Sequence, residues 1–166
     1  MFTFFAFYIN IIVDSGRLWQ KVGDNMLMGE FHHNLDEKQR LVIPNKYRDE
    51  LGNEFVITRG IEHCLYVYPM NKWDALVEKL NTLSFTKKDA RTFTRSFFAG
   101  ASICTFDKQG RIVLSDVHRN YANIKKECVI IGVNDRLEIW SENDYNSFMN
   151  DNALELENIS EHLFED

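Results

Sequence analysis

The sequence predicts an α+β fold, made of two related β units with short helices and arranged about a pseudo-two-fold axis. Three observations predict it. The charged turn Asp36-Glu37-Lys38-Gln39-Arg40, set between apolar runs, returns 71 residues later as Asp107-Lys108-Gln109-Gly110-Arg111. The repeat extends outward: Arg119 answers Arg48 at the same offset, Ile130-Ile131 answers Val56-Ile57, and Trp140 answers Tyr68. Short β-rich runs also alternate with segments that carry helix punctuation. Internal self-similarity is the first thing to weigh in a fold assignment. Two copies are too few for a solenoid, so each copy is expected to cover the other's apolar face.

In chain order, Phe31–Leu35 and Arg40–Ile43 read as a hairpin around the first charged turn. Pro44 opens a short helix, where its missing N–H does no harm, and Gly52 is the natural stop. Phe55–Thr58 and Leu65–Tyr68 predict a second strand pair. Pro69 opens another helix, with Trp73, Leu76, Val77 and Leu80 at helical spacing. Thr86-Lys87-Lys88-Asp89 resembles a capping box with Asp in place of Glu, and predicts a helix ending near Gly100. That helix has an apolar stripe (Ala90, Phe93, Phe97) and a basic one (Lys87, Arg91, Arg95). The basic stripe suits phosphates, a solvated face or a subunit contact equally. The second copy runs hairpin, helix (116–122), strand (128–133), Asn134-Asp135 turn, strand (136–140) and helix.

A length of 166 residues fits one compact domain or two small fused ones. At 45% hydrophobic and 27% charged residues the composition is that of a globular protein. Three cysteines without a C-x-x-C pair argue for reduced thiols in a cytosolic protein, with Cys64 and Cys128 buried in strands. The net charge of −6 looks wrong for a nucleic-acid binder, but residues 151–166 hold six acids and no Lys or Arg. The remainder balances, so the global charge says little about any one face.

Residues 1–25 differ from the rest. Met1 to Val13 is apolar and aromatic, yet thirteen residues is short of the roughly 20 that a span needs. No basic residue precedes it and no small-residue cleavage site follows. Two readings stand: translation begins at Met26 or Met28, or the segment is a membrane-active extension.

For chemistry, His32-His33 raises a metal site, but neighbouring strand residues face opposite ways and do not share one ion. There is no Gly-x-Ser-x-Gly elbow, no Cys with an evident base and no phosphate-cradling Gly-rich loop. An enzyme is disfavoured, and no catalytic residue, metal or cofactor is assigned. The paired turns are more informative. Arg40 and Arg111 can each offer a fork to guanine O6 and N7 or to phosphate. Lys38 and Lys108 would add phosphate contacts, while Asp36 and Asp107 accept turn N–H groups or aim the arginines. A single D-x-x-x-R reads as an ordinary turn; its duplication at matching positions favours a function.

The chain from Met28 to about Phe148 resembles the MraZ family of bacterial transcriptional regulators. The resemblance rests on Met28-Gly29-Glu30-Phe31, Asp36 to Arg40 with Ile43-Pro44, Thr58-Arg59-Gly60, Thr86 to Arg91, Asp107 to Arg111 and Val129 to Val133. It implies tandem AbrB-type (SpoVT-like) swapped-hairpin domains, a ring-like homo-oligomer, and DNA binding through both D-x-x-x-R segments. It further implies a repressor of its own division and cell-wall operon that binds short repeated promoter boxes, cytoplasmic and nucleoid-associated, with no membrane partner. The expected organisation is a non-native extension at 1–27, repeats at 28–75 and 101–148, linking helices at 76–100 and an acidic tail at 149–166. The alternative is an AbrB-fold protein-interaction module without operator binding.

One residue departs from the family pattern. The first turn there usually reads D-x-K-G-R, and here Gln39 replaces the glycine. That predicts a first turn shaped differently from the second, and a greater loss of DNA binding from Arg111→Ala than from Arg40→Ala. The leading segment carries a further expectation. Codons for Ser15-Gly16, Leu18-Trp19 and Val22-Gly23 can place GTGG at bases 44, 54 and 64. Boxes ten bases apart lie about one turn apart on a duplex. Other codons at Ser15, Leu18 or Val22 would remove the idea.

Overall fold

The computed structural model of the chain describes residues 26–153 and 155–164. Its elements are β1 (Leu27–Asn34), β2 (Arg40–Val42), α1 (Asn45–Leu51), β3 (Glu54–Arg59), β4 (Leu65–Pro69), α2 (Met70–Asn81) and α3 (Lys88–Ala99). The second copy follows with β5 (Ser102–Thr105), β6 (Arg111–Val113), α4 (Asp116–Tyr121), β7 (Glu127–Asn134), β8 (Arg136–Ser141), α5 (Glu142–Asn152) and α6 (Leu156–Phe164). The membrane-active reading and the coding pattern at 15–23 fall on residues 1–25, which lie outside the described residues. Leu27 is described; it is buried and opens β1.

Six strands form one antiparallel sheet in the order β1-β7-β8-β4-β3-β5, and β2 pairs with β6 in a separate two-stranded ladder. Exchanging first-copy strands for their second-copy equivalents reverses the order and leaves it unchanged. The pseudo-two-fold therefore runs between the central strands β4 and β8. It also places the first strand of each copy on the other copy's hairpin: β1 on β7, β5 on β3.

This corrects both expected hairpins: β5 pairs with β3 rather than with β6, and β1 with β7 rather than with β2. The first turn closes, with the Asp36 N–H donating to the Arg40 carbonyl at 3.0 Å, but its two arms part at once. β1 joins the large sheet and β2 joins β6. The turn residues fix the bend, whereas the partner of each arm is decided by burial. Leu41 and Ile112 face each other across the β2–β6 ladder, fully buried over the large sheet.

Both faces of the sheet are covered, and β4 shows how. Leu65 and Val67 enter the core shared with Leu41, Ile43, Tyr47, Ile112 and Leu114. Tyr66 and Tyr68 alternate onto the opposite face, with Phe97, Trp140, Tyr145 and the partly buried Trp73, Leu76 and Leu80 of α2. Pleat alternation with apolar or aromatic residues on both faces requires cover on both. Glu138, a buried acid on that face, accepts hydrogen bonds from Arg136 Nη2 at 2.8 Å and Trp140 Nε1 at 3.1 Å.

Helix α1 follows Pro44 and stops at Gly52, whose φ of 73° suits the glycine. The capping box expected at Thr86 does not form. α3 begins at Lys88, no side chain caps it, and Thr86 Oγ1 lies 2.8 Å from Ser84 Oγ instead. The α3 start is held by Arg91, whose Nη1 donates to the Phe85 and Thr86 carbonyls at 2.8 Å each. That fixes the Arg91 side chain against the turn before α3, with its charge not neutralised by these bonds. Among the described residues, no helix is long and apolar enough to cross a membrane.

Candidate nucleic-acid interface

Each charged turn is a three-residue loop built from the same set of bonds. In the first, Gln39 N–H donates to the Asp36 carbonyl at 2.9 Å, and Asp36 Oδ1 accepts the N–H groups of Lys38 (2.9 Å) and Arg40 (3.0 Å). In the second, Gly110 N–H donates to the Asp107 carbonyl at 2.9 Å, and Asp107 Oδ1 accepts from Gln109 (2.8 Å) and Arg111 (3.0 Å). The residue before each arginine has positive φ, 58° at Gln39 and 73° at Gly110. A turn followed by one left-handed residue is a standard three-residue hairpin loop, and it favours glycine at the second site. The expectation of a differently shaped first turn is thus corrected. Gln39 adopts the glycine conformation, held there by the same five-residue bonding frame.

The second oxygen of each aspartate holds the arginine. Asp36 Oδ2 accepts Arg40 Nε at 2.7 Å and Nη2 at 2.6 Å; Asp107 Oδ2 accepts Arg111 Nε and Nη2 at the same two distances. The Arg40 guanidinium bond, then the Arg40 backbone N–H, hold the Asp36 carboxyl down to about 2. The Arg111 guanidinium does the same for Asp107, also to about 2. Asp36 in turn raises Arg40 further. Both aspartates remain ionised wherever the protein is folded near neutral pH, so they serve as fixed acceptors that aim the arginines.

The β2–β6 ladder brings the two turns together. Its register pairs Arg40 with Val113, Leu41 with Ile112 and Val42 with Arg111, centred on Leu41 and Ile112. Two further bonds cross the axis: Ile43 N–H to the Gly110 carbonyl and Leu114 N–H to the Gln39 carbonyl, both 3.0 Å. As a result Arg40 Nη1 lies 4.0 Å from Asp107 Oδ2, and Arg111 Nη1 lies 3.8 Å from Asp36 Oδ2. Four charges from two distant segments form one patch of zero formal charge.

What this patch can do follows from guanidinium geometry. Arginine offers five N–H donors in a planar fork. The Nε/Nη2 edge is occupied by an aspartate, which leaves the Nη1/Nη2 edge in a fixed orientation. That edge matches the paired acceptors of guanine O6 and N7, or two phosphate oxygens. Lys38 and Lys108 are exposed at the turn tips, although they are not repeat equivalents: Lys38 corresponds to Gln109, and Lys108 to Glu37.

The histidine pair lies elsewhere. His32 Nε2 is 2.9 Å from Glu30 Oε1 and its Nδ1 is 3.0 Å from Glu142 Oε1, so it ties β1 to α5. The Glu30 bond, then the Glu142 bond, raise its pKa. Cys64 and Cys128 are buried as expected, with burial pushing the Cys128 thiol to about 12. Among the described residues no cluster of His, Cys, Asp and Glu is placed to hold a metal ion. In the sequence Arg48 and Arg119 carry no signal beyond their matching places in the repeat. The structure places both directly behind the turns, where Arg48 Nε donates to the Ile43 carbonyl at 2.7 Å and Arg119 Nε to the Leu114 carbonyl at 3.3 Å.

Comparison with known proteins agrees with the doubled architecture. A family model described as "MraZ protein, putative antitoxin-like" matches residues 26–96 and again residues 97–166. The chain is 50% identical over 135 residues to the "Transcriptional regulator MraZ" of Halothermothrix orenii, covering 81% of this chain and 94% of that protein. It is 49% identical over 138 residues to the protein of the same name from Natranaerobius thermophilus, covering 83% and 96%.

Proposed function

The chain belongs to the MraZ family, and on that premise we propose that it is a DNA-binding transcriptional regulator, not an enzyme, that reads duplex DNA through its paired turns. Asp36, Lys38, Arg40, Asp107, Lys108 and Arg111 form the interface in this reading. One observation carries it: two widely separated segments with the same bonding are held side by side, each with an arginine oriented by its own aspartate and with Nη1 within 4.0 Å of the other's.

The finer reading is a repressor of its own division and cell-wall operon, acting in the cytoplasm at the nucleoid. It binds short repeated promoter boxes, GTGG-type and about one helical turn apart, as a ring-like homo-oligomer. Each subunit then supplies few contacts, and several subunits on adjacent boxes supply the affinity. That arrangement reconciles a net charge of −6 with DNA binding, because local basic groups act together through assembly. Within the chain, 28–75 and 101–148 act as the two AbrB-type repeats, joined by the helices of 76–100.

A gel-shift titration against the chain's own upstream duplex, with a box-scrambled duplex as control, tests this. The regulator predicts binding that depends on the boxes and weakens steeply as salt rises. A well-folded chain with no preference between the two duplexes, together with a stable protein complex, would instead identify an interaction module.

A further inference from the structure

Four arginines gather at the end of the molecule that carries the turns: Arg40, Arg48, Arg111 and Arg119. Arg40 and Arg111 are neutralised by Asp36 and Asp107. Arg119 is neutralised by Asp116, which its Nη2 contacts closely. Arg48 takes part in no ion pair among the described residues. Its Nε donates to the Ile43 carbonyl at 2.7 Å, and among the described residues no acid neutralises its guanidinium.

Arg48 and its repeat equivalent Arg119 differ in two ways: Asp116, which neutralises Arg119, is answered by Asn45 in the first copy, and the turns beside them differ. Arg48 lies directly against Gly110: a Cβ at that position would come within 1.9 Å of its Cζ and 2.1 Å of its Nη1. The seat exists only because Gly110 has no side chain. The equivalent position in the first turn is Gln39, which has one. Arg119 holds the Leu114 carbonyl at a longer 3.3 Å, and its guanidinium meets Asp116.

We propose that Arg48, seated on Gly110 behind the second turn, is a phosphate-contacting residue of the DNA interface, and that Asp116 together with Gln39 denies Arg119 the same role in the first turn. This inference rests on the DNA-binding reading above. The patch of Asp36, Arg40, Asp107 and Arg111 has no formal charge, so its arginine edges can recognise a base but supply little attraction to the backbone. Arg48 stands immediately behind Gly110, the residue before Arg111, with an uncompensated charge. A duplex docked on the Arg111 edge brings a flanking phosphate to it. The two halves of a pseudo-symmetric protein thereby become unequal, with the second turn anchored to the backbone more firmly than the first.

The test is the salt dependence of affinity for the chain's own upstream duplex. Each phosphate contact contributes about 0.9 to the slope of log affinity against log salt. Arg48→Gln is expected to flatten the slope by about 1 per engaged subunit. Arg48→Lys, which keeps the charge, is expected to preserve it, and Arg119→Gln to leave it unchanged. Should Arg48→Gln misfold, the converse variant decides: Gln39→Gly with Asp116→Asn opens the seat and frees Arg119, and is expected to steepen the slope by about the same amount. A folded Arg48→Gln with the wild-type slope, or a converse variant with no steepening, overturns the assignment while leaving the DNA-binding reading intact. A wild-type chain that does not bind the duplex at all overturns both.

Discussion

Gln39 does with a side chain what Gly110 does without one. Its φ of 58° lies in a region that costs a side-chain-bearing residue about 1 kcal/mol. Its Oε1 is moreover buried without a hydrogen-bond partner among the described residues, a further penalty. Gln39→Gly removes both, against the extra backbone entropy that glycine loses on folding. The expected net gain is about 1 kcal/mol, read as a rise in Tm of roughly 2–4 °C; an unchanged or lower Tm would show that the turn carries no such strain. The conformation demanded at position 39 was legible in the sequence, because its repeat partner is a glycine. The response was not. A five-residue bonding frame with three backbone bonds to Asp36 overrides the preference of one residue, and no sequence pattern reports that balance.

At the scale of elements, local chemistry was read well and non-local pairing less so. Pro44, Gly52, Pro69 and the Asn134-Asp135 turn each mark a boundary through a backbone property of the residue itself, and the observed elements begin and end beside them. The plain hairpins and the Thr86 cap failed for a shared reason. A strand arm or a hydroxyl has several partners within reach, and burial or a neighbour such as Ser84 decides among them. The exchanged strand β1 offers a sharp test of the observed pairing. Gly132 faces Gly29 across the β1–β7 ladder, and a Cβ on Gly132 would lie 2.4 Å from the Met28 nitrogen and 2.5 Å from the Leu27 carbonyl carbon. Both obstacles are backbone, so neither can rotate away. Gly132→Ala is expected to cost about 1–3 kcal/mol and to lower amide protection along 27–34, measured by hydrogen exchange. Wild-type protection there would refute the β1–β7 register.

For the whole molecule, strand exchange welds the two copies into one body. The large sheet contains three strands of each copy, and the core packed on it draws on the β2–β6 ladder that the two copies share. Neither copy can place its arginine beside the other's without this exchange, which is why the site is a property of the pair and was visible in the sequence only as a repetition. The central claim is that oriented arginine edges, rather than bulk charge, read the DNA. It can be tested with a charge-neutral variant: Asp36→Asn, Arg40→Gln, Asp107→Asn and Arg111→Gln together leave the net charge at −6. An anisotropy titration of this variant against the upstream duplex, with wild-type circular dichroism and oligomer size as controls, is the measurement to make. The expected result is a folded protein that has lost its preference for the repeated boxes over scrambled DNA. A folded variant that keeps wild-type affinity and preference would contradict the claim.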